Sequence, residues 1–152
     1  MIKHDYPPLL PEGFCEIGFW QFDQHFLEPF GANERRLYLI NRFGVYLEDL
    51  AKLTLTLTIW LDGSFTTHKP DPNDVDIVLW VDEDAVDQMP AAQQVLLDRL
   101  TDPDKVAARY DVHVHVARQG DTAKEAYWLN EFGTDRAGLI TKGLFTLKLN
   151  HA

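Results

Sequence analysis

The sequence predicts an α/β (α+β) domain built on a mixed sheet, and three local patterns carry that expectation. Residues 53–61 alternate between apolar side chains and threonine, as in Leu55, Thr56, Leu57 and Thr58, which is the period of a half-buried strand. Residues 74–81 alternate again, with Asp74, Asp76, Val78 and Trp80 on one face and Val75, Ile77, Leu79 and Val81 on the other. Between residues 33 and 52 the apolar spacing changes to three-to-four, the mark of an amphipathic helix. Helices and strands interleaved along one chain make a layered α/β or α+β domain.

The remaining elements follow in order. Residues 1–33 read as an arm: Pro7, Pro8 and Pro11 forbid regular structure, and Phe14, Phe19, Trp20, Phe22, Phe26 and Phe30 follow. So many aromatics cannot stay in water, so the arm is expected to pack on a domain spanning 34–152. Asn33 suits an N-cap and Glu34 the first turn of the 33–52 helix, with Leu37, Ile40, Gly44, Leu47 and Leu50 as its core stripe. Residues 62–73 hold Gly63, Pro70 and Pro72 and read as a loop. Helices are expected at 91–100, with a further turn at 103–109, and near 122–132; strands are expected at 110–117 and 144–149. The acidic run Asp82-Glu83-Asp84 with Asp87 reads as a solvated, helix-starting charge bias.

Composition narrows the function. The chain has 152 residues, enough for one domain with a sizeable core. Fourteen Lys and Arg against 24 Asp and Glu give a net charge of −10, which repels phosphate backbones and anionic membranes. Long nucleic acid is therefore disfavoured as a partner. The single cysteine, Cys15, excludes an internal disulfide and reads as a small buried residue. With no apolar run of spanning length and no signal-peptide pattern, a cytoplasmic protein is expected.

The chemistry-bearing pattern is a Gly-Ser pair closing one strand and an Asp-Val-Asp opening the next. Gly63 and Ser64 are followed by nine residues and then Asp74-Val75-Asp76-Ile77. Period-two geometry sets Asp74 and Asp76 on one face, near enough to share a divalent cation. Asp111, on the 110–117 strand, joins them if that strand pairs with the second. Clustered carboxylates need a compensating charge, and hard oxygen ligands select Mg²⁺ or Mn²⁺. Gly63 lets the backbone approach a phosphate, to which Ser64 offers its hydroxyl and N–H.

This spacing resembles the signature of the polymerase-β-like nucleotidyltransferase superfamily, in which a Gly-Ser or Gly-Gly pair precedes an Asp-hydrophobic-Asp/Glu. More loosely, LLPEG, NERRLYL, LDGSFTTHKPDPNDVDIVL and YWLNEFGTDRAGLITKGLF are similar to an uncharacterised prokaryotic family of minimal members. The resemblance implies a minimal nucleotidyltransferase fold, a mixed sheet with helices packed mainly on one face. It implies metal binding by Asp74 and Asp76, a third carboxylate at Asp111, and triphosphate contact by Gly63 and Ser64. The implied reaction moves a nucleoside monophosphate from a nucleoside triphosphate to a hydroxyl of a small molecule or a protein. Many minimal members carry an arginine in a helix after the Gly-Ser. Here FTTHKPDPN has two prolines and no arginine, so only a short turn is expected there, with Lys69 or His68 as the substitute cation.

Plainer readings stand beside these. A loop serine and turn-capping aspartates would give the same letters, although Asp76 sits inside a strand, where aspartate is disfavoured. Asp111 alone could be a solubilising strand-edge charge. His113 and His115 share its face, yet no further Cys or His is spaced to complete a zinc site, so they read as solvent-facing or as neighbours of the metal ligands. Trp60 and Trp80 share the active face, where base stacking is a weaker reading. Arg136, Lys142 and Lys148 read as surface charges, and residues 138–143 as a Gly-bearing loop that could close over phosphates. The competing function is a catalytically silent binding module of the same fold, such as an antitoxin-like partner of a basic toxin-like protein; a nucleotide sensor is a third.

Overall fold

A computed structural model describes residues 6–132 and 142–150. In chain order the elements are β1 (Phe14–Glu16), α1 (Phe22–Phe26), α2 (Glu34–Leu50), β2 (Leu57–Asp62), β3 (Val75–Val81), α3 (Glu83–Asp87), α4 (Ala91–Thr101), α5 (Pro103–Tyr110), β4 (Val112–Arg118), α6 (Thr122–Phe132) and β5 (Leu144–Leu149). Short 3-10 turns flank α1, and another covers Ser64–Thr66. The strands form one mixed sheet in the order β1-β5-β2-β3-β4. β2 lies antiparallel to β3 and β5, while β3–β4 and β1–β5 are parallel. A parallel pair needs a long crossover, and α3 to α5 supply it between β3 and β4.

The two faces of the sheet carry different side chains. Leu57, Ile59, Leu61, Val75, Ile77, Leu79, Val112 and Val114 point to the main core, where they meet α1, α2, α4 and α5. Trp60, Val78, Trp80 and Ala117 point the other way, against Phe132 and Trp128 of α6. The arm contributes an edge strand to the sheet, and Ile17, Phe22 and Phe26 to the main core. Its other aromatics divide: Trp20 is 82% exposed, and Phe14 and Phe19 are also exposed. Phe14 still lies 5.5 Å from the Trp60 ring centroid and Phe19 5.0 Å from that of Phe22, so each packs by one side only.

Two expectations at element level need correcting. The alternation of 53–61 forms strand only from Leu57; Leu53 and Leu55 are buried as expected, but in a turn segment ahead of β2. Asn150 Nδ2 donates to the carbonyls of Leu53 and Leu55, which gives that segment side-chain partners in place of a ladder. In α2, Asn33 caps as expected, its side chain accepting from Arg36 N at 2.8 Å. The core stripe, however, is Leu39, Ile40, Phe43, Tyr46, Leu47 and Leu50, while Leu37 is 44% exposed. Gly44 turns toward the arm, where a Cβ would stand 2.8 Å from the Phe19 ring.

Arg36 was hidden in the NERRLYL run and is fully buried. Its guanidinium lies 3.6 Å from the Phe30 ring centroid. It donates to the carbonyls of Phe26 at 3.0 Å, Phe65 at 2.8 Å, Thr67 at 2.8 Å and Lys69 at 2.7 Å. Burial lowers its pKa to about 10, with Asp71 acting against the shift, so the group stays charged at neutral pH. Beside it, Arg35 donates to the carbonyls of Pro72 at 3.0 Å and of Asn73. Asn33 Nδ2 donates to Pro70 O at 2.6 Å. The start of α2 thus clasps the main chain of the 65–73 loop and fixes where that loop leaves Ser64 and enters β3.

Candidate functional site

The site occupies the α6-facing side of the sheet, at the end where β2 finishes and β3 and β4 begin. Asp62 of β2 stands opposite Asp76 of β3, and Asp76 stands opposite His113 of β4. Because strands have a period of two, His115 follows His113 on the same face. Of the aspartates that the sequence singles out, only Asp76 stands in this row; Asp74 precedes β3 and Asp111 precedes β4, and the neighbours of Asp76 are Asp62 and His113. Beyond the row the same face turns apolar, with Trp60 and Trp80 at 4.8 Å between ring centroids.

Gly63 joins the Gly-Ser turn to Asp76. Its φ of 76° with ψ of −165° is a conformation that side-chain-bearing residues rarely adopt. A Cβ there would stand 2.2 Å from Asp76 Oδ2, so a side chain at residue 63 would collide with the carboxylate. Ser64 opens the expected short turn: Thr66 and Thr67 N–H donate to the carbonyls of Gly63 and Ser64 at 3.3 and 3.1 Å. Phe65 plugs into the core against Phe26, with ring centroids 4.7 Å apart. The main chain of Lys69 is held by Arg36, and among the described residues its ammonium forms no ion pair.

The acidic groups experience different environments. Burial raises the Asp76 carboxyl above its usual pKa, and His113 and Lys142 work against that rise. Burial also raises Asp74, with the nearby charges of Asp76 and Asp111 adding to it and His113 and Arg35 opposing it. Asp111 comes near Asp74, as the pairing of β3 with β4 requires, but it is not a strand residue. It terminates α5 in the left-handed conformation, at φ 53° and ψ 41°, and its carbonyl accepts from Val75 N at 3.0 Å. Its carboxylate is 3.0 Å from Arg42 Nε of α2. Sequence alternation cannot register this, because a helix runs directly into the strand.

Three contributors were missed or undervalued. Asp62 ends a strand beside a glycine and so reads as a turn residue, yet it is only 6% exposed. Burial pushes its pKa up to about 7 despite Lys142, whose Nζ lies 3.3 Å from Oδ1 in an ion contact outside hydrogen-bond geometry. Lys142 is thus a half-buried neighbour of the acidic row rather than a surface charge, its side chain only 14% exposed. Lys148 does behave as a surface charge, pairing with Glu16 at 3.3 Å. His113 Nδ1 lies 2.8 Å from Asp76 Oδ1. His115 is half-buried; desolvation lowers its pKa and the neighbouring His113 lowers it further. Arg136 and residues 138–141 of the Gly-bearing loop lie outside the described residues.

Fold and site together define an α+β protein with an acidic, histidine-bearing cluster on one face of a five-stranded mixed sheet. The chain belongs to a family of unknown function (DUF6932), whose model matches residues 2–148. No curated protein and no solved structure matches it. Among the described residues, no helix is long and apolar enough to cross a membrane.

Proposed function

We propose that the protein is a nucleotidyltransferase, moving a nucleoside monophosphate from a nucleoside triphosphate to a hydroxyl of a small molecule or a protein. The observation that carries this reading is the contact between the Gly-Ser turn and Asp76. Gly63 brings the turn so close to the carboxylate that a Cβ would fall 2.2 Å from Oδ2. A phosphate held by the turn is thereby placed beside the acidic row. Ser64 donates its hydroxyl and N–H to phosphate oxygens, and the main-chain clasp from Arg35 and Arg36 keeps the turn in position.

Asp74 and Asp76 fit a divalent ion of the Mg²⁺ or Mn²⁺ kind. They offer hard oxygens two residues apart at the start of β3, and burial raises each carboxyl above its usual pKa. When bound, such an ion neutralises triphosphate charge and the pyrophosphate that departs. Asp111 is the third carboxylate of this reading, the base for the acceptor's proton; its charge reaches Asp74, and its own carboxylate pairs with Arg42. Lys142 is the better-placed cation for the triphosphate than Lys69, because its ammonium already stands at the acidic row. A cytoplasmic location, where triphosphates are supplied, fits this chemistry.

A second reading is favoured by one observation: Arg42 and His113 already engage the carboxylates of Asp111 and Asp76. That internal pairing suits a silent member that binds a partner instead of turning over. Calorimetry with each nucleoside triphosphate and Mg²⁺, alongside pyrophosphate release, separates the two. The transferase reading expects binding and turnover in the parent protein. It expects Asp76→Asn to lower turnover by at least about a thousandfold while the circular-dichroism spectrum stays unchanged. Full activity in Asp76→Asn, or no triphosphate binding in the parent, would remove it.

A further inference from the structure

We propose that Asp76, His113 and His115 form a binding site for one transition-metal dication of the zinc type, held by a carboxylate oxygen and two imidazole nitrogens. One ligand atom from each residue lies within 4.8 Å of the others. Among the described residues this is the one group of three metal-binding side chains so arranged. The arrangement comes from pairing: β3 and β4 are parallel, Asp76 faces His113 and Val78 faces His115, so both imidazoles lie along the carboxylate's side of the sheet. An ion with bonds of about 2.0–2.1 Å holds its ligands about 3.4 Å apart, a spacing that small side-chain rotations reach from here.

Each donor is already oriented. His113 Nδ1 lies 2.8 Å from Asp76 Oδ1. The ring of His115 packs between His113, at 4.4 Å between centroids and tilted by 51°, and Trp128 of α6, at 4.6 Å and tilted by 42°. Gly63 backs the second carboxylate oxygen. The site is open on its outer side, since the His113 side chain is 54% exposed, so coordination positions remain for water or a substrate oxygen. Two imidazoles and one carboxylate suit zinc and its first-row neighbours, whereas magnesium prefers oxygen ligands alone. The plainer account is a carboxylate–imidazole pair with a second histidine packed beside it, and that account predicts no metal binding.

The site shares Asp76 with the transferase reading but does not rest on it, so its test contains no nucleotide. The full chain, stripped with chelator, is titrated with Zn²⁺ by calorimetry and with Co²⁺ by visible absorption. One Zn²⁺ per chain is expected, undisplaced by a large excess of Mg²⁺. His113→Ala and His115→Ala are each expected to weaken it by at least about tenfold and to abolish the Co²⁺ bands. Thermal melts of the metal-free variants establish that they fold. In the unsubstituted protein, Zn²⁺ is expected to shift the imidazole NMR signals of His113 and His115, a readout that needs no variant. The proposal is overturned if the parent binds no Zn²⁺, if both variants bind it as tightly as the parent, or if other histidines shift instead. Zinc binding without triphosphate binding sustains this site and removes the transferase reading. Triphosphate binding without zinc binding does the reverse.

Discussion

The sheet face beneath α2, α4 and α5 is closed by Leu39, Phe43, Leu97 and Val106 and is apolar along its length. The opposite face is apolar only where Trp128 and Phe132 of α6 cover Trp60 and Trp80. At its other end lie Asp62, Asp76 and His113. Both faces are written in the same strands by alternate residues, so Ile77 stabilises the fold while its neighbour Asp76 serves the site. Desolvating carboxylates works against folding, and the apolar face must offset that. Stability and chemistry are thus separated by side of the sheet rather than by domain.

Substitutions can break that division at its seam. Arg36 connects α2, on the apolar side, to the loop that leaves the site. Arg36→Met is expected to lower stability by about 4 kcal/mol in urea unfolding, because three buried carbonyls and the part-buried one of Lys69 lose their donor. A loss below about 1 kcal/mol would mean that packing of Phe65 alone holds the loop.

The polar end should also reveal itself through pH. Folded Asp62 keeps its proton up to about pH 7, whereas the unfolded chain releases it near the ordinary aspartate value of 3.8. Between those values the native state binds more protons, so stability falls as pH rises from about 4 to 7. At no more than 1.36 kcal/mol per unit, and with titration incomplete at both ends of the window, the fall is about 3 kcal/mol. Comparing urea midpoints of the parent and Asp62→Asn across that window checks it: the variant's slope should be shallower, and equal slopes would refute the assignment.

Gly63→Ala is expected to be milder, about 2 kcal/mol, since alanine must adopt a glycine conformation and displace Asp76. Triphosphate binding should weaken along with the melting temperature. Trp80→Phe sharpens the comparison from the other side. The Trp80 indole N–H is buried without a hydrogen-bond partner among the described residues, so its removal offsets the lost contact. A change under about 1 kcal/mol is expected there, against about 3–5 kcal/mol for Phe43→Ala on the helix-covered face.

Much of the architecture was legible because periodicity reports burial. Residues 74–81 and 144–149 formed strands and 122–132 a helix close to where the pattern placed them. Gly63 also meets Asp76, since the antiparallel pairing of β2 with β3 returns the chain to it, and Asp74 feels the charge of Asp76. What escaped depends on contacts distant in sequence. Arg36 reads as a solvated helix charge until the carbonyls of another segment surround it. Asp62 looks like turn chemistry until Lys142, eighty residues later, approaches it. His113 gains its partner only through a parallel pairing that three helices separate from β3 in the chain.

The clasp at the start of α2 has a consequence for how this molecule can change over time. Arg35 and Arg36 grip the 65–73 segment by its carbonyl oxygens, which every residue type supplies. The exposed side chains there, among them His68 and Asp71, can therefore be exchanged while the backbone path is preserved. Selectivity at the rim of the site can drift by substitution alone, with the grip itself inherited intact.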